Sequence, residues 1–249
     1  MNADDKHGQV MLQNCRADAY RYSLRSLCDF TAKISEMHLE GTGMIINDAE
    51  VWVNLPGRFN ASNLLAVYGV SVLLGHHRDE VIPALSQMKP VEGRFQIHRS
   101  TRGPAAVVDY AHTPDALERV LETLHEVNVK GGQIITVVGA GGNRDRGKRP
   151  AMARIAAERS QKVILTSDNP RDEDPEMILD DMIEGIPEQW RDRALRIVSR
   201  REAIRTACML AGEDDIILVA GKGHEKTQEI RGEKLPFDDM ENLQLNLNG

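Results

Sequence analysis

Four short runs hold most of the side chains in this 249-residue sequence that could do chemistry. Asp109-Tyr110-Ala111-His112 offers a carboxylate and an imidazole. They suit a metal or an acid–base pair, or Asp109 orienting a ribose hydroxyl. The run from Gly139 to Arg149 is rich in glycine and basic residues. Its Gly142, Gly147 and Lys148 match the start of a phosphate-binding P-loop, but Arg149 stands where Ser or Thr should hold magnesium. Gly-x-Gly-x-x-Gly fails as well, because Arg144 occupies the third glycine position. What remains is a strand-to-helix turn whose amides, with Arg144, Arg146 and Lys148, suit a carboxylate or phosphate. Asp168-Asn169-Pro170-Arg171 reads as a capping turn stiffened by Pro170, or as the seat of a bidentate arginine grip on a carboxylate, which lysine could not reproduce. Gly221-Lys222-Gly223-His224-Glu225 reads as a turn, or as a close backbone approach to a ligand with Glu225 accepting hydrogen bonds from an amine.

Two other features read more plainly. His76-His77 is an exposed pair at a helix end, since adjacent helical residues do not face one ligand. Asp172–Asp174 is a solvated loop leading into a helix.

The elements that must position these runs alternate along the second part of the chain. Strands are expected at Ala105–Asp109, Gln133–Val138, Lys162–Thr166, Leu195–Val198 and Asp215–Ala220. Helices are expected from Thr113-Pro114-Asp115 onward, with Thr113 as N-cap and Pro114 at the first helical position, and at Lys148–Arg159, Pro175–Glu184 and Arg200–Leu210. Short connections between alternating strands and helices imply a Rossmann-like α/β domain with a mostly parallel sheet, whose ligands bind at the carboxyl ends of its strands. All four runs fall at such ends. The first part is mixed. Val10–Gln13, Tyr20–Leu24, Lys33–Leu39 and Met44–Val53 look like strands, Asn60–Gly75 like a helix packed on most sides, and Arg78–Gln87 like a second helix weakened at Pro83.

Composition excludes several classes. The hydrophobic fraction of 41% predicts a packed core, and the net charge of −7 with scattered basic residues argues against a nucleic-acid partner. No apolar run is long enough to span a bilayer, and the first residues, Met-Asn-Ala-Asp-Asp-Lys, lack the pattern of a signal peptide. Cys15, Cys28 and Cys208 are far apart and odd in number, which fits free thiols in a reducing cytoplasm better than zinc or a redox couple.

Taken together the motifs resemble one family. Gly57-Arg58-Phe59-Asn60-Ala61-Ser62-Asn63-Leu64-Leu65-Ala66, Val91-Glu92-Gly93-Arg94-Phe95 and Asp109–Asp115 stand in the order seen in Mur ligases, the ATP-dependent enzymes that add amino acids to the peptidoglycan precursor. Gly142–Pro150, Asp168–Arg171, Gly221–Glu225 and Phe237-Asp238-Asp239 are similar to the branch that adds the third peptide residue. The resemblance covers nearly the whole chain. It implies that residues 1–90 are the end of a central α/β ATPase domain and residues 91–249 a carboxyl-terminal amino-acid-binding domain. It also implies ATP and Mg2+ as cofactors and UDP-N-acetylmuramoyl-L-alanyl-D-glutamate as partner. Asn63, Arg94, Asp109 and His112 are then expected at the adenine and ribose of ATP. Arg144 and Arg171 are expected on carboxylates of the incoming amino acid, with Asp168, Asn169, Pro170, Gly221 and Glu225 around it. In this family the arginine of Asp-Asn-Pro-Arg goes with meso-diaminopimelate rather than lysine, and the diacid's extra carboxylate needs a cationic partner when desolvated.

The family's P-loop, its magnesium-binding acidic residue and its carbamylated lysine are expected before Met1, so the chain alone is expected to be inactive, with a cytoplasmic location and no membrane or metal site of its own. The last residues, Asn-Leu-Gln-Leu-Asn-Leu-Asn-Gly, depart from the family's terminal helix. A non-catalytic amino-acid- or nucleotide-binding module is the competing reading. An NAD-dependent oxidoreductase rests only on the strand–helix alternation, and a folylpolyglutamate synthetase relative only on the fold.

Overall fold

The structure, a computed structural model, describes residues 1–100 and 103–248. The chain forms two compact units, Met1–Pro90 and Val91–Gly249.

In the first unit a single helical turn, α1 (Gly8–Met11), precedes a four-stranded sheet ordered β1 (Tyr22–Ser23), β2 (Phe30–His38), β3 (Gly41–Ile46), β4 (Ala49–Val53). Helices α2 (Arg58–Leu73) and α3 (Arg78–Ser86) pack on it. Ala61, Leu64, Leu65 and Tyr68 of α2 recur at helical spacing and are buried against Phe30, Ile46 and Val53, with Tyr68 meeting Phe30 edge-on. Helix α3 runs through Pro83 without a break and is capped by His77, whose Nδ1 accepts from the Asp79 amide at 3.4 Å.

Three expectations for this unit are corrected. Val10–Gln13 is not a strand: Met11 closes a helical turn onto the His7 carbonyl at 3.1 Å, and Val10 and Met11 are exposed, with no strand pairing to them among the described residues. Met44–Val53 is not continuous, because Asn47 and Asp48 both take positive φ (43° and 67°) and turn the chain back on itself, a hairpin signal carried by exactly these residue types. And α2 buries only one stripe. Val67, Val70 and Leu74 on its other side are exposed.

The second unit carries a six-stranded sheet in the order β5-β6-β10-β7-β8-β9. Its elements in chain order are β5 (Gln96–Arg99), β6 (Ala105–Asp109), α4 (Pro114–Val127), β7 (Ile134–Ala140), α5 (Lys148–Arg159), β8 (Lys162–Ser167), α6 (Pro175–Ile183), a 3-10 turn (Glu188–Arg193), β9 (Ala194–Arg196), α7 (Arg200–Leu210), β10 (Ile216–Ala220), a hairpin of β11 (Thr227–Ile230) and β12 (Glu233–Pro236), and α8 (Asp239–Leu247). All pairings in the large sheet are parallel except that of β5 with β6. The Rossmann-like expectation holds. The central strands β7 and β10 are buried along their whole length, as a parallel sheet covered on both faces requires.

The chain steps in one direction through β6, β7, β8 and β9, so right-handed crossovers put α4, α5 and α6 on one face. It then returns to insert β10 between β6 and β7, which puts α7 on the other. There Ala203, Ile204 and Ala207 of α7, with Met240 and Leu243 of α8, pack on Val108, Val137, Ile164 and Val219. Thr113, Asp174, Ser199 and Asp238 cap α4, α6, α7 and α8 through their side chains. The carboxyl-terminal residues therefore do form a helix, contrary to the expectation, because Asp238 caps it and Leu243 gives it a buried foothold. Strand β5 and the β11–β12 hairpin were not anticipated. Cys15, Cys28 and Cys208 are free, and burial pushes the Cys208 thiol up to about 11.

Candidate functional site

Four adjacent parallel strands, β6, β10, β7 and β8, end at one edge of the sheet, and each hands over to one of the chemistry-bearing runs. The core of the site is built around Lys222, whose side chain is fully buried. Its Nζ donates to Asn169 Oδ1 at 2.9 Å and Glu225 Oε2 at 3.0 Å, and lies 3.5 Å from Asp168 Oδ1. Asn169 Oδ1 also accepts from the Glu229 amide at 2.9 Å, which turns its Nδ2 toward Glu225 Oε2 at 2.8 Å. Both donors reach the same oxygen of Glu225, so Oε1 is left to accept from an incoming amine. Burial works against ionisation of Glu225, but the hydrogen bonds from Asn169 and Lys222 outweigh it and hold its carboxyl below the ordinary glutamate range. Asp168 and Glu225 share one ammonium, so the cluster keeps negative charge for a cationic ligand group. Gly221 follows β10 with φ +118°, and a Cβ there would stand 3.4 Å from Asp168 Oδ2. That backbone conformation is open to glycine and strained for other residues.

Arg171 stands beside this acidic pair. It takes φ +52°, unusual for a non-glycine residue, and donates through Nη1 to the Gly142 carbonyl at 2.8 Å. Arg144 comes to the same place: a point one Cβ out from Gly141 lies 3.1 Å from Arg171 Nη1 and 3.7 Å from Arg144 Cγ. Arg144 is exposed and, among the described residues, makes no hydrogen bond or ion pair. Two cations and two carboxylates thus converge at the ends of β7, β8 and β10.

The other basic residues of the glycine-rich run do not serve an anion as expected. Arg146 is paired with Asp181 at 3.0 Å. Lys148 Nζ donates to the His112 carbonyl at 2.9 Å, and burial lowers its pKa. Arg149, fully buried, ties this run to α6 through Asp181 in its last turn at 2.7 Å and through Glu173 just before it at 2.8 Å, and donates to the Gly141 carbonyl of its own run at 3.3 Å. Nor do the glycines wait for a ligand. A Cβ on Gly142 would stand 1.9 Å from the Pro170 carbonyl oxygen, so this glycine lets the two turns of the site touch, and its amide donates to Asn169 O at 2.9 Å.

A second group lies at the end of β6. Asp109 is buried, and its oxygens accept from the amides of Phe95 and Ala111, both at 2.7 Å. Burial raises its pKa in spite of these bonds. Its carboxylate therefore fastens the Gly93–Phe95 turn to the sheet. The Tyr110 ring carries the Arg94 guanidinium at 4.6 Å and touches the rings of His112 (4.6 Å) and His224 (5.2 Å). His112 Nδ1 donates to the Tyr110 carbonyl at 2.8 Å. The result is a part-exposed face of rings and a cation, suited to a flat heterocycle. Asn63 belongs to the first unit, exposed on α2. Among the described residues no cluster of three His, Cys, Asp or Glu side chains is placed to hold a metal ion, and no helix is long and apolar enough to cross a membrane.

Reading the sequence missed Lys222, Glu229, Tyr110 and Arg149 as parts of the site. Tyr110, Lys222 and Arg149 gave a signal by lying inside motifs already singled out; Glu229 gave none.

The profile of the family described as "Mur ligase, glutamate ligase domain" matches residues 93–223, more than half of the chain. The UDP-N-acetylmuramoyl-L-alanyl-D-glutamate–2,6-diaminopimelate ligase of Phocaeicola vulgatus is 58% identical over 242 residues, 97% of this chain and 50% of that protein. The enzyme of the same name from Chlorobaculum tepidum is 46% identical, over 98% of this chain and 50% of its own length. The chain thus spans about half the length of the curated relatives it matches. A solved structure of a ligase with that name superposes with a TM-score of 0.67 at 36% identity, covering 99% of this chain and 52% of the other. The UDP-N-acetylmuramate–alanine ligase of Thermotoga maritima, at 19% identity and a TM-score of 0.64 over 91% of this chain and 46% of its own, shares the fold. With its parallel sheet, its strand-end motifs and the matched profile in agreement, the chain belongs to the Mur ligase family.

Proposed function

We propose that the second unit is the amino-acid-binding part of an ATP-dependent ligase of peptidoglycan precursor synthesis, acting in the cytoplasm, and that the amino acid is meso-diaminopimelate. The observation that carries this reading is the convergence of Arg144 and Arg171 with Asp168, Asn169 and Glu225 at one sheet edge. A diamino diacid presents carboxylates and ammonium groups at both ends. Arg171 and Arg144 grip a carboxylate, while Asp168 and Glu225 Oε1 accept from an ammonium. L-lysine has the second amine but not the second carboxylate, so it leaves the arginines without their partner. Relatives whose names state 2,6-diaminopimelate ligase support the choice.

In the reaction that family membership implies, ATP phosphorylates the D-glutamyl side-chain carboxylate of UDP-N-acetylmuramoyl-L-alanyl-D-glutamate, giving an acyl phosphate and ADP. The free amine of diaminopimelate attacks the acyl carbon, phosphate leaves, the nitrogen loses a proton and an amide results. Residues of this unit hold the amine in line rather than activate the phosphate. The ring face of Tyr110, His112 and Arg94 is assigned to the adenine of ATP, with Asp109 fixing the turn that carries Arg94, and Asn63 is assigned to the same nucleotide. Mg2+ finds no ligand cluster among the described residues, so no step is assigned to it here.

The competing reading is a binding module without catalysis. Calorimetric titration tests the substrate and a ligation assay tests the chemistry. Meso-diaminopimelate should bind the chain about tenfold or more tightly than L-lysine, the value of one charge-assisted contact, and Arg171→Ala should erase that difference. Equal affinity for the two amino acids would discredit the assignment. The purified chain alone should incorporate no labelled diaminopimelate into the UDP-linked dipeptide.

A further inference from the structure

The hairpin of β11 and β12 contributes no residue to the motifs that identify the site, yet it holds the Asp168–Arg171 turn along its whole length. Gln228 Nε2 donates to the Asp168 carbonyl at 2.7 Å. The Glu229 amide donates to Asn169 Oδ1 at 2.9 Å, and the Glu229 carbonyl accepts from the Arg171 amide at 3.1 Å. The Arg231 amide closes onto the Arg171 carbonyl at 2.7 Å, making a parallel bridge between Arg171 and Ile230. Arg171 can rest at φ +52° because both its backbone groups are taken by this strand.

The Glu229 side chain then adds something the backbone cannot: Oε2 accepts from Arg171 Nε at 3.2 Å, in a pair whose side chains are 21% and 33% exposed. A guanidinium has five N–H donors, one on Nε and two on each Nη. Glu229 takes the first and the Gly142 carbonyl one of the Nη1 hydrogens. What is left is the second hydrogen of Nη1 and both of Nη2, and the Arg144 side chain passes close by, since one point beside Gly141 lies 3.1 Å from Arg171 Nη1 and 3.7 Å from Arg144 Cγ. We infer that Glu229 is a positioning residue that sets the selectivity of the site: it pins the Nε edge of Arg171, so that only the Nη edge grips the second carboxylate of a diamino diacid.

This inference rests on the substrate reading above. Without Glu229 the guanidinium is free to turn and offers two edges, so the carboxylate loses a prepared partner. L-lysine brings no second carboxylate and does not sense the change. The carboxylate of Glu229 points at Nε, not at the Nη edge, so a bound ligand need not displace it.

The test is calorimetric titration of the 249-residue chain and its Glu229→Ala and Glu229→Gln variants with meso-diaminopimelate and with L-lysine, each variant first checked for an unchanged thermal midpoint. Glu229→Ala should weaken diaminopimelate binding about tenfold, the loss of one charge-assisted hydrogen bond, and leave lysine binding within about twofold. Glu229→Gln keeps an amide oxygen for Nε and should recover affinity to within about threefold of the parent. An equal loss for both amino acids would show a merely structural role. Tighter diaminopimelate binding by Glu229→Ala would show that Glu229 competes for Arg171. Either result overturns the inference while leaving the substrate reading intact. Failure of the unsubstituted chain to bind diaminopimelate overturns the substrate reading, and this inference with it.

Discussion

Glu225 keeps its charge in a half-buried position because Asn169 and Lys222 both donate to it, and that has a consequence for acid stability. Its folded pKa lies below the ordinary glutamate value of 4.5, so the group contributes stability at pH values above that figure. The contribution is lost as pH falls through the folded pKa, because the native form must then take up the proton that the unfolded form has already bound. Glu173 and Asp181, held down chiefly by the hydrogen bonds from Arg149 and from Arg146, act in the same direction. Urea midpoints measured from neutral pH down to acid should fall below about pH 4.5, and Glu225→Gln should make that fall shallower. Superimposable slopes for the two proteins would remove Glu225 from the acid transition. The types of Asp168, Asn169, Arg171 and Glu225 were legible in the sequence, since charged and amide groups directly after apolar strands have few structural reasons to be there. Lys222 was not. A lysine between two glycines reads as surface, and it is made a core residue by partners 54 and 53 positions upstream, which no local pattern announces.

The helices of the second unit were legible as elements because their signals are local. Thr113 and Pro114 fix the start of α4, and Leu117, Val120, Leu121 and Leu124 repeat at the spacing that buries one face. The β11–β12 hairpin was illegible for the opposite reason. Its strands are part-exposed or exposed throughout and carry no alternation, and it is held by its Arg231-Gly232 turn, both at positive φ, and by the Asp168–Arg171 backbone. Helix α8 was missed because its buried residues are few and part of its hold is an ion pair to a helix far upstream in the chain. Arg200, at the start of α7, donates through Nε and Nη2 to the Asp239 carboxylate at 2.7 Å each, and both side chains have no exposure to solvent. Arg200 Nη2 also reaches the Ala220 carbonyl at 3.1 Å, directly before Gly221, so the pair braces the end of β10. Asp239→Ala would leave a buried guanidinium without its counter-charge and should cost about 3–5 kcal/mol in urea unfolding. Replacing both partners together, Arg200→Met with Asp239→Leu, should recover most of that loss, since the desolvation cost goes with the charges. A double variant no more stable than Asp239→Ala alone would mean that the bond to Ala220, not the ion pair, is what matters there.

At the scale of the whole molecule the fold class follows from element order, but which surfaces are covered does not. Helix α2 shows the gap: its apolar residues suggested a helix packed on most sides, whereas only the stripe of Ala61, Leu64, Leu65 and Tyr68 is buried. Val67, Val70 and Leu74 lie on the opposite side at 43%, 57% and 75% exposure, three and four residues apart, so they form one continuous apolar stripe rather than scattered points. Sequence records that a residue is apolar; it does not record what lies over it. Exposed stripes of this kind, larger than the single apolar residues normal on a monomer, lower their free energy by meeting another apolar surface. The purified 249-residue chain should therefore self-associate as its concentration rises, seen as an increasing weight-average sedimentation coefficient. Val70→Glu with Leu74→Glu places two like charges on that stripe and should return the chain to a concentration-independent monomer. Because both positions point away from the buried stripe, the helical circular dichroism and the thermal midpoint should not change. A parent chain already monomeric at high micromolar concentration would show that the stripe is too narrow to drive association. Association that survives the double substitution would place the sticky surface elsewhere, on the exposed Val10 and Met11 of α1 first of all.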